Sequence, residues 1–157
     1  MSNGDEAILE VKGLKVGIED TPILKGIDLR IPKGEIHAIM GRNGSGKTTT
    51  ANVIMGHPAY DVEEGEILLD GENLQEMEPW ERSRKGVFLS FQYPQSIPGL
   101  QVGNFLRKSV SSVRGEEAAR GSEFREKLNQ AMEELDIPKS FLSLSLIHIS
   151  EPTRLQQ

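Results

Sequence analysis

The first apolar pattern along the chain is a broken alternation. Ile8, Val11, Leu14 and Val16 sit among polar neighbours, which predicts a strand kinked at Gly13. Gly17–Thr21 reads as a turn. Ile27, Leu29 and Ile31 then alternate with Asp28 and Arg30, as on a half-buried strand. Pro32-Lys33-Gly34 is a turn with proline at its first corner. The apolar run Glu35–Met40 follows directly and predicts a short buried strand, so an antiparallel hairpin feeds the segment beyond Met40. Tyr60–Gly65 is acidic and turn-like, and Glu66–Gly71 is a short strand ending in a tight turn. Pro79–Lys85 suits one or two helical turns, with proline tolerated at the start. Val87–Phe91 is a compact apolar run of the kind found in buried central strands, and Pro94 forbids its continuation.

The period then becomes helical. Val102, Phe105, Leu106, Ser109, Val110 and Val113 share one face, although Gly103 weakens the first turn. Arg114–Ser122 is a charged, small-residue link. Phe124, Leu128, Ala131 and Leu135 form a second stripe that ends before Pro138. The two stripes are expected to pack together in a small helical subdomain. Trp80 and Tyr93 read as packing residues, His37 as a satisfied core or interface histidine, and His57 as a turn residue.

Composition changes this picture mainly by exclusion. A chain of 157 residues is about one domain, long enough to bury a core. It has no cysteine, which removes disulfides, thiolate metal sites and a cysteine nucleophile. The formal net charge of -6 leaves no basic surface to argue for nucleic acid. No apolar run is long enough to span a bilayer and the N-terminus shows no signal-peptide pattern, so a soluble, cytoplasmic protein is expected.

The chemistry concentrates in Gly41-Arg42-Asn43-Gly44-Ser45-Gly46-Lys47-Thr48, which has the form G-x-x-x-x-G-K-[ST], the Walker A phosphate loop. Lys47–Met55 reads as the helix that such a loop opens, broken at Gly56 and stopped by Pro58. Backbone N–H groups at a helix N-terminus point at an anion, and the helix end carries about half a positive charge. Lys47 is then the residue that reaches the β- and γ-phosphates, and the Thr48 hydroxyl binds Mg²⁺. The expected nucleotide-binding set is Gly41, Asn43, Gly44, Ser45, Gly46, Lys47, Thr48 and Thr49, with ATP and Mg²⁺ as ligands.

The order of hairpin, Walker A loop, small strand hairpin and apolar strand ending in Gln92 resembles the first half of an ABC-type ATPase domain. The fold class implied is α/β, a P-loop NTPase of ABC type, truncated. It comprises an antiparallel hairpin with the Walker A core in residues 1–99, and the start of a helical subdomain in residues 100–142. Gln92 stands where that family's Q-loop glutamine belongs, and the resemblance implies a role for it, with Lys47, in catalysis. There its amide helps hold Mg²⁺, as Thr48 does, or the attacking water. Two stretches, His37–Thr48 and Phe91–Gly99, resemble the SufC family, the ATPases of SUF iron–sulfur cluster assembly. That likeness implies SufB- and SufD-like scaffold partners docking on Gln92 to about Val113, and an ATP-dependent homodimer in the intact family member. It also implies that any cluster sits on the scaffold, because this chain offers no cysteine ligands. Many ABC ATPases stack adenine on an aromatic residue of the N-terminal strand. Val16 occupies that place here, which leaves base selectivity open.

Beyond Leu142 the family pattern stops. The signature helix, the Walker B aspartate with its adjoining glutamate and the switch histidine are expected next, and none follows; His148 is not that histidine. Leu144–Arg154 instead looks like the in-frame translation of a transposon-end adapter used in sequencing libraries, against the plainer reading of a strand carrying Leu144, Leu146, Ile147 and Ile149. Residues 143–157 are accordingly set aside from functional reasoning. With half of the catalytic apparatus missing, this chain is expected to hydrolyse ATP negligibly. Alternative readings are the nucleotide-binding domain of an ABC transporter and a non-catalytic nucleotide-binding fragment.

Overall fold

A computed structural model describes residues 6–19, 21–92 and 97–145. The chain divides into two compact units, Met1–Leu89 and Ser90–Gln157.

The first unit is built on a four-stranded antiparallel sheet. Its strands are β1 (Ala7–Ile18), β2 (Thr21–Pro32), β3 (Asp61–Leu69) and β4 (Glu72–Asn73), in the spatial order β2-β1-β3-β4. The expected kink is real: the register of β1 slips between Val11 and Leu14 on the β2 side, and Gly13 lies at φ 56°. Its N–H is satisfied by Asp28 Oδ1 at 2.8 Å. The bulge lets Val11, Leu14 and Val16 all turn to one buried side. They join Leu24, Val53, Ile67 and Leu74 in a single cluster. Helices α1 (Lys47–Met55) and α2 (Pro79–Arg84) complete the unit.

Three expectations fail here, for related reasons. Tyr60–Gly65 is not a turn: β3 begins at Asp61, because Val62 pairs with Val16 and Glu64 with Lys15. Its acidic side chains sit on the exposed positions of the strand, where Lys15 Nζ meets Glu64 Oε2 at 2.6 Å. Conversely, Glu35–Met40 forms no strand, and Ile36 and Met40 are 98% and 88% exposed. Val87–Phe91 forms none either; Val87 leans on the core while Phe88 is 87% exposed. A strand exists by pairing its N–H and C=O groups with a neighbour. Among the described residues, no strand pairs with either run.

The second unit is helical. It contains α3 (Val102–Arg114) and α4 (Ser122–Glu134), with 3₁₀ turns at Glu117–Ala119 and Lys139–Ser143. Phe124, Met132 and Ala119 are buried, whereas no residue of α3 is. Leu135, expected on the packed stripe, lies just past α4 and is 68% exposed. Ser145 bridges to Gln101, and the Val102 N–H donates to Leu144 O at 3.0 Å. The rest of the 143–157 stretch lies outside the described residues. No described helix is long and apolar enough to cross a membrane.

Candidate nucleotide-binding site

The phosphate loop lies between β2 and α1. After the irregular 35–40 segment, Asn43 and Gly44 make a turn, and α1 begins at Lys47. Gly44 and Gly46 sit at φ 80° and 90°, where a side chain is strained. Gly46 meets a second constraint, since a Cβ there would run into Leu24 Cδ2 on β2. A Cβ at Gly41 would lie 2.6 Å from Ser45 Oγ. The glycines thus allow the loop to curl tightly and to rest against the sheet.

The helix that follows is oriented for an anion. Gly46 is its N-cap, no side chain caps it, and its first turn holds no acidic residue. The N–H groups of that turn have no intrahelical acceptor, by helix geometry. Lys47 Nζ donates to Gly41 O and Arg42 O, each at 2.9 Å, so the ammonium lies inside the curl of the loop. Thr48 and Thr49 follow on the first turn, Thr48 exposed and Thr49 half-buried. Thr50 is buried; its N–H and Oγ1 both donate to Gly46 O, at 2.8 and 2.9 Å. Beside the loop is a cleft of about 250 Å³ lined by Ile27, Leu29, Ile39, Met40, Ser45 and Lys47, among others. Open amides, a lysine at the loop centre and a solvent-facing hydroxyl fit a polyphosphate with its divalent cation.

The remaining sequence-predicted residues lie on other segments of the chain. Val16 is fully buried in the core, so its side chain is unavailable to stack on a base. Gln92 lies at an exposed bend of the second unit. Within that unit Ile97, Phe105 and Val113 are 42%, 38% and 44% exposed. Leu106, Val110, Phe124 and Leu128 line a groove of about 270 Å³ between α3 and α4. Tyr93 lies outside the described residues. Trp80 is not a core residue; it is half exposed, with the Arg84 guanidinium 4.7 Å from its ring centre. His37 is likewise not buried, and pairs with Glu35 at 2.8 Å on the exposed segment. His57 is in a turn as expected, edge-on to Tyr60 at 5.5 Å.

Sequence reasoning missed Arg82, a buried cation at the far end of α1. Its Nη1 donates to Val53 O at 2.9 Å and Ile54 O at 3.0 Å, and its Nε to Met77 O at 2.9 Å. Burial lowers its pKa from the ordinary arginine value, against the opposing pull of Glu78. The one available signal was a helix ending at Gly56 with no basic residue in its last turn.

With the loop, its lysine and its helix in place, the comparisons decide the family. Residues 24–151 match the family described as ABC transporter, a span containing the whole phosphate loop and both helices of the second unit. The chain belongs to that family. This ABC chain is 55% identical over 117 residues to the probable ATP-dependent transporter ycf16 of Cyanophora paradoxa, covering 74% of the chain and 45% of that relative. It is 42% identical over 144 residues to the probable ATP-dependent transporter slr0075 of Synechocystis, covering 90% of the chain and 56% of that relative. A solved structure of the ATP-binding subunit of an ABC transporter superposes with a TM-score of 0.74 at 26% identity, over 90% of this chain and 55% of that one. The chain spans about half the length of the curated relatives it matches. The expected fold class, an ABC-type P-loop NTPase with an antiparallel sheet and helices, therefore stands.

Proposed function

We propose that the chain binds ATP with Mg²⁺ at the Gly41–Thr49 loop, as part of an ABC-type ATPase. The observation that carries this is the loop itself: two left-handed glycines set a curl at the uncapped N-terminus of α1, with the Lys47 ammonium at its centre. Main-chain N–H groups from Asn43 to Gly46 cradle the phosphates, Lys47 exchanges its loop carbonyls for the β- and γ-oxygens, and Thr48 and Thr49 lie on the first helical turn. Mg²⁺ would supply charge neutralisation at the phosphates; Thr48, on the first turn of α1, would hold it through its hydroxyl, and the family resemblance proposes the same role for Gln92. Titration of the chain with Mg·ATP should give saturable binding that Lys47→Ala weakens at least tenfold. Equal affinity in the two proteins would overturn the assignment.

The fuller reading is an ATPase of SufC type driving iron–sulfur cluster assembly. Its support is the likeness of His37–Thr48 and Phe91–Gly99, of which Gln92–Gly99 favours it over a transporter domain. SufB- or SufD-like scaffolds would dock on Gln92 to about Val113, where Ile97, Phe105 and Val113 reach solvent. The names of the relatives favour a second reading, the nucleotide-binding part of a transporter. Capture of a SufB-like scaffold rather than a membrane permease supports the first, and the reverse supports the second. Under either reading hydrolysis needs the signature and Walker B elements, which the sequence of this chain does not show. ATP hydrolysis by the chain alone should therefore stay at background, whereas turnover equal to a full-length relative would contradict this. ATP-dependent pairing of two copies belongs to the intact protein on the same reasoning.

A further inference from the structure

The geometry points to Arg82 as a positioning residue for polyphosphate binding, acting through α1 on the loop at the helix's opposite end. The inference rests on the phosphate-site reading above.

Helix α1 has nine residues, too few to persist alone in water. Its packing is thin: only Thr50 and Val53 are buried. Thr50 is already committed to Gly46, which leaves Val53, in the core cluster, and Ile54, packed against it, as the apolar anchors. The helix is therefore held in place mainly at its C-terminal end, and Arg82 dominates that end. One guanidinium closes two terminal carbonyls of α1, Val53 O and Ile54 O, and ties them to Met77 O on the approach to α2. Gly56, at φ 83°, leaves room for it, since a Cβ there would lie 2.8 Å from Arg82 Cζ. Arg82 is itself fixed: Val87 N–H donates to its carbonyl at 3.1 Å, and Glu81 Oε2 accepts from Glu78 N–H at 2.9 Å at the start of α2. A planar fork that serves three carbonyls constrains direction as well as distance, which a lysine ammonium cannot match.

Lys47, Thr48 and Thr49 ride on the first turn of this short rod, about 8 Å away at the ordinary rise per residue. Tilting its far end moves their amides relative to Gly46, which rests against Leu24 of β2. Loss of Arg82 should thus degrade the phosphate cradle while leaving the sheet in place.

The test compares the 157-residue chain with Arg82→Met, Arg82→Lys and a core control, Val11→Ala, at a temperature where circular dichroism finds all four folded. Mg·ATP and inorganic tripolyphosphate are titrated in parallel. Arg82→Met should weaken both ligands by the same factor, tenfold or more, Arg82→Lys should fall between, and Val11→Ala should stay within twofold of wild type. Amide exchange adds a readout independent of any ligand: Thr50 and the rest of α1 should exchange at least tenfold faster in Arg82→Met, with β1 and β2 unchanged. Unchanged α1 exchange, or an equal loss of affinity in Val11→Ala, would overturn the positioning role. A wild-type chain that binds neither ligand, with α1 exchange still dependent on Arg82, would overturn the phosphate-site reading instead.

Discussion

Two pairs of segments in the first unit have similar sequences and opposite fates. Val11–Val16 in β1 and Ile67–Leu69 in β3 are short apolar stretches, and they form the buried centre of the sheet. Ile36–Met40 and Val87–Leu89 are just as apolar, yet they form no strand, and Ile36, Met40 and Phe88 face solvent. Residue type does not separate the pairs. What separates them is a neighbour: β1 has one on each side, β2 and β3, whereas no described strand flanks the other two runs. Apolar character only makes a stretch eligible for a strand, and the ladder decides.

That contrast can be broken from the strong side first. Ile67→Ala removes a fully buried side chain and should cost about 3 kcal/mol, read as a lower urea midpoint. Phe88→Ser, despite the larger side chain, should change stability by less than about 0.5 kcal/mol. Equal losses would mean that Phe88 is packed in solution. The bulge of β1 against β3 gives the next effect. Gly65 is at φ 99°, and a Cβ there would lie 2.7 Å from Gly13 O and Leu14 Cα. Gly65→Val should cost about 2 kcal/mol by the same measurement. Next, Ile36→Ser with Met40→Ser should leave the urea midpoint unchanged while raising the concentration at which the protein aggregates, as followed by light scattering.

The smallest effect concerns the solvent-facing side of β1. Hydrogen bonds from Lys12 and Arg30 hold the Glu10 carboxyl below the ordinary carboxylate value. Its stabilising contribution is therefore present above that ordinary value and is lost as pH falls through the lower folded one. Glu10→Gln should flatten the acid limb of the stability–pH curve slightly and leave neutral pH almost unchanged, in urea titrations across the acid range.

The sequence was legible where its signals were local. Alternation at Ile27, Leu29 and Ile31 located β2, the glycine loop located α1, and Gly56 marked its end. Helical spacing located α3 and α4. Signals failed where a distant partner decided the outcome. The acidic start of β3 reads as a loop until Lys15 and Val16 are set beside it. The runs at Ile36 and Phe88 read as core until their neighbours are counted. Arg82 is an ordinary surface arginine in a linear reading. It becomes a buried cap only because α2 returns to the end of α1. The candidate site's residues could be proposed from the sequence because the motif packs them into eight consecutive positions; the Arg82 contacts at the far end of α1 could not.

The contact between Gly46 and Leu24 has one more consequence. Leu24 belongs to the apolar cluster, and the loop is curled against it. Loop and sheet therefore share a boundary, and the work of occupying one is felt in the other. A polyphosphate that binds only the folded form, present at a hundred times its dissociation constant, raises the unfolding free energy by about 2.7 kcal/mol. Much of that protection would be recorded in strands that never touch the ligand. If the proposed site is right, the melting curve of β1 and β2 becomes a gauge of what sits in the loop, legible without any label on the ligand.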